Sequence, residues 1–282
     1  MDADRAILLA NIILKAYDVP SADISDIVPG ANIGSYMVLS RLIGNDLATD
    51  INPNRGGDRI SYGFVLRDGT DAIIAIRGTE GVWEWVHDLM FLPMPCPVPR
   101  AVGFSEDGFS AIYKSLSTTN LAKPVPSLIE ALQGHLAGVK TITVCGHSLG
   151  GALATLVGLD AAINSPWDTT VYTFASPRVG DPLFAANYNH VVPMTYRIAN
   201  RADIVPKMPT PPLYEHVTQL VDLNPTDENN KPIVKFSIPC EHSLTTYTYL
   251  IGTAFGAKGA PSLEKECAIT QQALPTGTEG LI

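Results

Sequence analysis

Residues 141–152, TITVCGHSLGGA, constrain the fold more than any other stretch. β-Branched and small apolar residues run into Gly-His-Ser-Leu-Gly-Gly, and an apolar stretch with helical spacing follows. A buried strand that hands over to a helix within one turn brings the two elements close together. The positions beside the turn must therefore be small, which is why glycine recurs there. The central residue is pushed into strained backbone, and its side chain is lifted above the sheet edge. Gly146-His147-Ser148-Leu149-Gly150 fits G-x-S-x-G in this strand–turn–helix context.

The rest of the chain supplies a sheet for that turn. Spacing predicts helices at 3–17, 33–48, 108–117, 124–137, 149–164, 182–189 and 243–255. It predicts strands at 60–67, 72–77, 141–145, 170–175, 194–199, 216–223 and 233–238, with Asp68-Gly69 turning the first pair as a hairpin. The alternation in the second half implies a mostly parallel sheet with helices on both faces. No repeat or shift in composition divides the 282 residues, so one domain is expected over 1–282, with an N-terminal helical segment at 1–58.

A net charge of −9 argues against a nucleic-acid partner and against docking on anionic membranes. The N-terminus reads as a helix with Leu9, Ile13 and Tyr17 on one side, not as a leader, because two aspartates precede Arg5 and no A-x-A-like site follows. No apolar run reaches the length of a membrane span. The expectation is a soluble chain, cytoplasmic or exported without a leader. Cys96, Cys145, Cys240 and Cys267 make no C-x-x-C pair, so a zinc or thioredoxin reading has no support. No metal and no cofactor are expected. Cys145 reads as a buried thiol. Cys240 could pair with Cys267, or either with Cys96, and spacing does not choose.

A serine hydroxyl is a poor nucleophile until a base takes its proton and an acid orients the base. In such sheets the chain order is serine, acid, histidine. His147, beside the serine, is expected to pack under the turn. Of the downstream histidines, His190 sits in a polar stretch and His216 opens a strand-like run. His242 sits where a strand is expected to hand over to a helix, and is preferred over His216. Two acids compete. Asp181 precedes Pro182 as a helix cap would. Asp203 follows a strand with no helix after it to cap, so it is preferred. The oxyanion donors expected are the N–H of Leu149 and a group at Thr79, where Gly78 permits close approach.

These residues carry a pattern. RGTEGVWEWVHDL, VCGHSLGGALA, YTFASPRVGDP, NRADIVPKMP and EHSLTTY occur in one order between about residues 61 and 252. The chain thereby resembles the class 3 lipases, the fungal-type triacylglycerol lipases and their bacterial relatives. The resemblance implies an α/β-hydrolase fold, with Ser148, Asp203 and His242 as catalytic triad and Thr79 and Leu149 as oxyanion donors. It implies a short helical lid over about 80–92, in which Trp83, Trp85, Val86, Asp88, Leu89 and Phe91 would border substrate. The implied activity is hydrolysis of lipid esters at an oil–water interface through an acyl-enzyme. A feruloyl-type carboxylesterase and a phospholipase are the alternatives.

Overall fold

Nine of the described strands line up in one sheet, and the order of that sheet places the turn at 148 near its centre. The computed structural model describes residues 1–19, 30–46, 59–79, 92–118 and 127–269. In chain order the elements are α1 (Ala3–Tyr17), β1 (Asn32–Ile33), β2 (Tyr36–Asn45), β3 (Arg59–Asp68) and β4 (Asp71–Ile76). Next come β5 (Pro93–Pro95), β6 (Phe104–Glu106), α2 (Asp107–Ser115), β7 (Ser117–Thr118) and α3 (Leu128–His135). Then follow β8 (Thr141–His147), α4 (Leu149–Asn164), β9 (Asp168–Phe174), α5 (Pro182–Val191) and β10 (Thr195–Asn200). A 3₁₀ turn (Val205–Lys207), β11 (Leu220–Leu223), α6 (Ile238–His242) and α7 (Leu244–Phe255) complete the described chain.

The sheet order is β1-β2-β3-β4-β8-β9-β10-β11, with β7 beside β2. The pairs from β1 to β4 are antiparallel, and those from β4 to β11 are parallel. Two-residue periodicity divides the core. In β4, Ala72, Ile74 and Ile76 face a cluster shared with α2, α3, α4 and α5. Ile73 and Ala75 face the other side, packed with α1 and α7. Both faces are therefore covered, as parallel strands require. Among the described residues no helix is long and apolar enough to cross a membrane.

Three expectations need correction. The segment 33–48, read as helical within an N-terminal helical segment 1–58, is strand from Tyr36 to Asn45. Register shifts between Val38 and Ser40 and between Leu42 and Ile43 break the period of two, so apolar residues fall at a spacing that imitates a helix. The strand expected at 216–223 shortens to Leu220–Leu223. Residues 233–238 form no strand. Val234 makes an isolated bridge to Ala268 instead, so this segment pairs with the chain's later residues and not with the sheet.

Candidate active site

Close approach shapes the turn at Ser148. A Cβ built on Gly146 would lie 2.0 Å from the carbonyl oxygen of Gly150, and one on Gly150 would lie 2.3 Å from that of Ile76. Only glycine lets α4 leave β8 so tightly. Ser148 itself has φ 59° and ψ −126°, a left-handed conformation rarely taken by a residue with a side chain. Such a conformation costs about 1–3 kcal/mol and persists where the surroundings enforce it. Here the Ser148 N–H donates to the Phe174 carbonyl at 2.9 Å, and the Ser148 carbonyl accepts from Gly151 at 2.8 Å.

His242 is buried at the end of α6, and its Nδ1 lies 2.8 Å from Oδ2 of Asp203. A carboxylate can only accept, so Nδ1 carries a proton, and in the neutral ring Nε2 presents a lone pair. Asp203 is fully enclosed. Its Oδ2 also accepts from the Tyr247 hydroxyl at 2.8 Å, and its Oδ1 from the Val205 N–H at 2.9 Å. Burial and then the Asp203 charge hold the Tyr247 phenol well above its ordinary pKa, so it stays a donor. Ser148 Oγ, His242 Nε2 and Thr79 Oγ1 are all buried and, among the described residues, have no hydrogen-bond partner. Unpaired buried polar atoms are costly, and a site that reserves them for a ligand is one reason to keep them.

A relay underneath joins these pieces. Tyr17, at the end of α1, accepts from the Gly78 N–H at 2.8 Å and lies 2.8 Å from Nδ1 of His147. His147 Nε2 faces the His242 carbonyl at 2.9 Å. A carbonyl only accepts, so Nε2 carries the hydrogen and Nδ1 accepts from Tyr17. Burial, then His242, holds the His147 pKa well below the ordinary value, so its ring stays neutral beside the other imidazole. Arg77 fixes the other side of the same segment, donating from Nη1 to the Gly78 carbonyl at 2.8 Å. A Cβ on Gly78 would lie 2.9 Å from that of Ser148, so the end of β4 abuts the serine. Leu149 opens α4, where an amide has no carbonyl of its own helix to reach and the helix dipole favours negative charge.

The competing residues have other places. Asp181 caps α5, accepting from Phe184 N–H at 2.7 Å, and it also accepts from Phe104 N–H. His190 is exposed in the last turn of α5. His216 lies 2.6 Å from the Pro206 carbonyl, and burial, with Arg197 nearby, pulls its pKa down to about 3. Tyr17, Arg77 and Tyr247 hold the site together; Tyr17 was expected only on one side of the N-terminal helix, and Arg77 and Tyr247 were not singled out in the sequence. Trp83, Trp85, Val86, Asp88, Leu89 and Phe91 lie outside the described residues. Cys240 and Cys267 form a disulfide, which settles the pairing, while Cys96 and Cys145 are free thiols.

A family profile described as lipase (class 3) matches residues 73–212, from β4 through the loop that carries Asp203. Over these residues the chain matches the class 3 lipase family. Among curated relatives, phospholipase A1-II 7 of Oryza sativa subsp. indica is 31% identical over 226 residues, covering 69% of this chain and 54% of the relative. Phospholipase A1-II 4 of Oryza sativa subsp. japonica is 31% identical over 243 residues, covering 75% and 59%. The chain thus spans a little over half the length of these relatives. Among solved structures, Lip2 lipase from Yarrowia lipolytica superposes with a TM-score of 0.58 at 22% identity, covering 78% of each chain. That likeness establishes the α/β-hydrolase fold.

Proposed function

We propose that this protein hydrolyses carboxylic esters of lipids through an acyl-enzyme on Ser148, with residues 1–282 acting as one hydrolase domain. One observation carries the reading. Asp203 fixes the His242 tautomer at 2.8 Å, while His242 Nε2 and Ser148 Oγ remain buried and unpaired. In the proposed reaction, His242 Nε2 takes the Ser148 proton as Oγ attacks the ester carbonyl. Asp203 stabilises the imidazolium that forms. The N–H of Leu149 and the N–H and hydroxyl of Thr79 receive the oxyanion. His242 then returns the proton to the leaving alcohol, and water, activated by the same ring, releases the fatty acid.

The plant relatives' names favour a second reading within the same chemistry, a phospholipid ester as substrate. Emulsified triacylglycerol, phosphatidylcholine vesicles and a short soluble ester, each assayed with wild type and Ser148→Ala, test both. Turnover of either lipid that Ser148→Ala abolishes supports lipid ester hydrolysis, and the larger rate picks the substrate. Turnover of the soluble ester alone would favour a feruloyl-type or other non-lipid esterase.

A further inference from the structure

His242 sits on a weak element. α6 has five residues, and its N-cap, Ser237, makes no side-chain cap bond. One turn of helix does not hold itself in water. Its carbonyl side is tied inward, since Asn200 Nδ2 donates to the Glu241 carbonyl at 2.8 Å and His147 Nε2 to that of His242 at 2.9 Å. Side chains beside His242 tie it to a different part of the chain. Cys240, two residues before His242, is bonded to Cys267. Thr245, three residues after it, donates to Oε1 of Glu264 at 2.7 Å. Both anchors belong to one short segment, which a hydrogen bond from the Cys267 N–H to the Glu264 carbonyl folds on itself at 2.9 Å. The segment joins no strand ladder. The Lys235 N–H to the Cys267 carbonyl, at 2.8 Å, and the Val234–Ala268 bridge hold it against the residues just before α6.

We propose that residues 264–268 form a strap that holds His242 in line with Asp203 and Ser148, with the Cys240–Cys267 disulfide as its positioning cross-link, so that turnover depends on that pair being oxidised. This rests on the reading of Ser148, His242 and Asp203 as the reacting groups. Reduction passes two electrons and two protons from a dithiol to the two sulfurs. Cys240 and Cys267 become thiols, and the dithiol becomes a cyclic disulfide. The inward ties at Asn200 and His147 survive, but the side-chain links described between this region and the strap are reduced to the Thr245–Glu264 bond, beside the backbone contacts at Lys235 and Val234. Positional errors of about 1 Å in a reacting group cost about 10²-fold in rate, so a partial loosening is readable in kcat.

The test uses the full chain. The rate at which a p-nitrophenyl phosphonate labels Ser148, together with kcat and KM on a soluble ester, is measured in the oxidised protein, after dithiothreitol, and in Cys267→Ser. Near-UV circular dichroism follows tertiary structure throughout. The expected result is a fall of about tenfold or more in labelling rate and kcat, KM within about twofold, an unchanged spectrum, and recovery on reoxidation. Equal rates in oxidised and reduced protein overturn the strap alone. A change confined to KM overturns it as well, as does a loss of rate that merely tracks loss of the spectrum. An oxidised protein inert to the phosphonate overturns both the strap and the reading it rests on. If Cys267→Ser does not fold, Glu264→Ala decides. A lower kcat at an unchanged Tm supports the strap, and wild-type kcat contradicts it.

Discussion

Asp203 accepts three hydrogen bonds at once, from His242, Tyr247 and Val205. An amide in its place could offer an N–H to His242 and favour the wrong tautomer. Asp203→Asn is therefore expected to lower kcat by about 10³–10⁴, by analogy with the equivalent change in another serine hydrolase, with little effect on Tm. Asp181→Ala should do the reverse, costing about 1–2 kcal/mol of stability through the lost cap of α5 while turnover survives. Denaturant titrations beside steady-state rates separate the two. Tyr17→Phe would leave the Gly78 N–H and His147 Nδ1 without their shared partner, and kcat should fall about tenfold at unchanged KM. The residues proposed to carry the chemistry could be picked out because each sits in a distinctive local context. Ser148 lies between glycines where a strand meets a helix, and Asp203 follows a strand with no α-helix after it, although its Oδ1 does take the Val205 N–H at the start of the 3₁₀ turn. Tyr17 and Tyr247 could not, because their contacts reach across 61 and 44 residues, and Tyr17 reads as one more residue on the apolar side of α1.

At the scale of elements, the β8–α4 turn should tolerate no added methyl. Gly146→Ala places a Cβ 2.0 Å from a backbone oxygen that cannot move aside, and it should destabilise by at least about 2 kcal/mol in urea titrations. The N-terminus of α2 gives a pH-dependent expectation. Glu106 is buried and caps the Phe109 N–H at 2.8 Å, and burial pushes its carboxyl up to about 7, from the ordinary 4.5. The native state then holds a proton that the unfolded chain releases, so this group's contribution is present below pH 4.5 and is lost as pH rises through about 7. Glu106→Gln keeps an acceptor for the cap without the titration. Its stability relative to wild type should therefore rise between pH 5 and 8, read as urea midpoints at the two values. The helices from 149 and 182 were legible because apolar spacing and Asp181-Pro182 mark them locally. β2 was not, since its two register shifts exist only against β3.

For the whole molecule, the alternation of strands and helices after residue 140 sufficed to anticipate a parallel sheet covered on both faces, because right-handed crossovers leave few other ways to bury such strands. The antiparallel addition of β1, β2 and β3 was only half visible, through the Asp68-Gly69 hairpin joining β3 to β4. What the fold achieves is convergence. α1 brings Tyr17, the segment after β4 brings Gly78 and Thr79, β8 delivers Ser148, and the loop after β10 brings Asp203 to meet His242 from α6. The most direct measurement of that convergence is covalent labelling of the intact protein with a serine-directed phosphonate, followed by peptide mass spectrometry in wild type and His242→Ala. One phosphonyl group on Ser148, with the rate falling by about 10³ or more in His242→Ala, is the expected result. Labelling at another residue, or an unchanged rate at Ser148 without His242, would contradict the account.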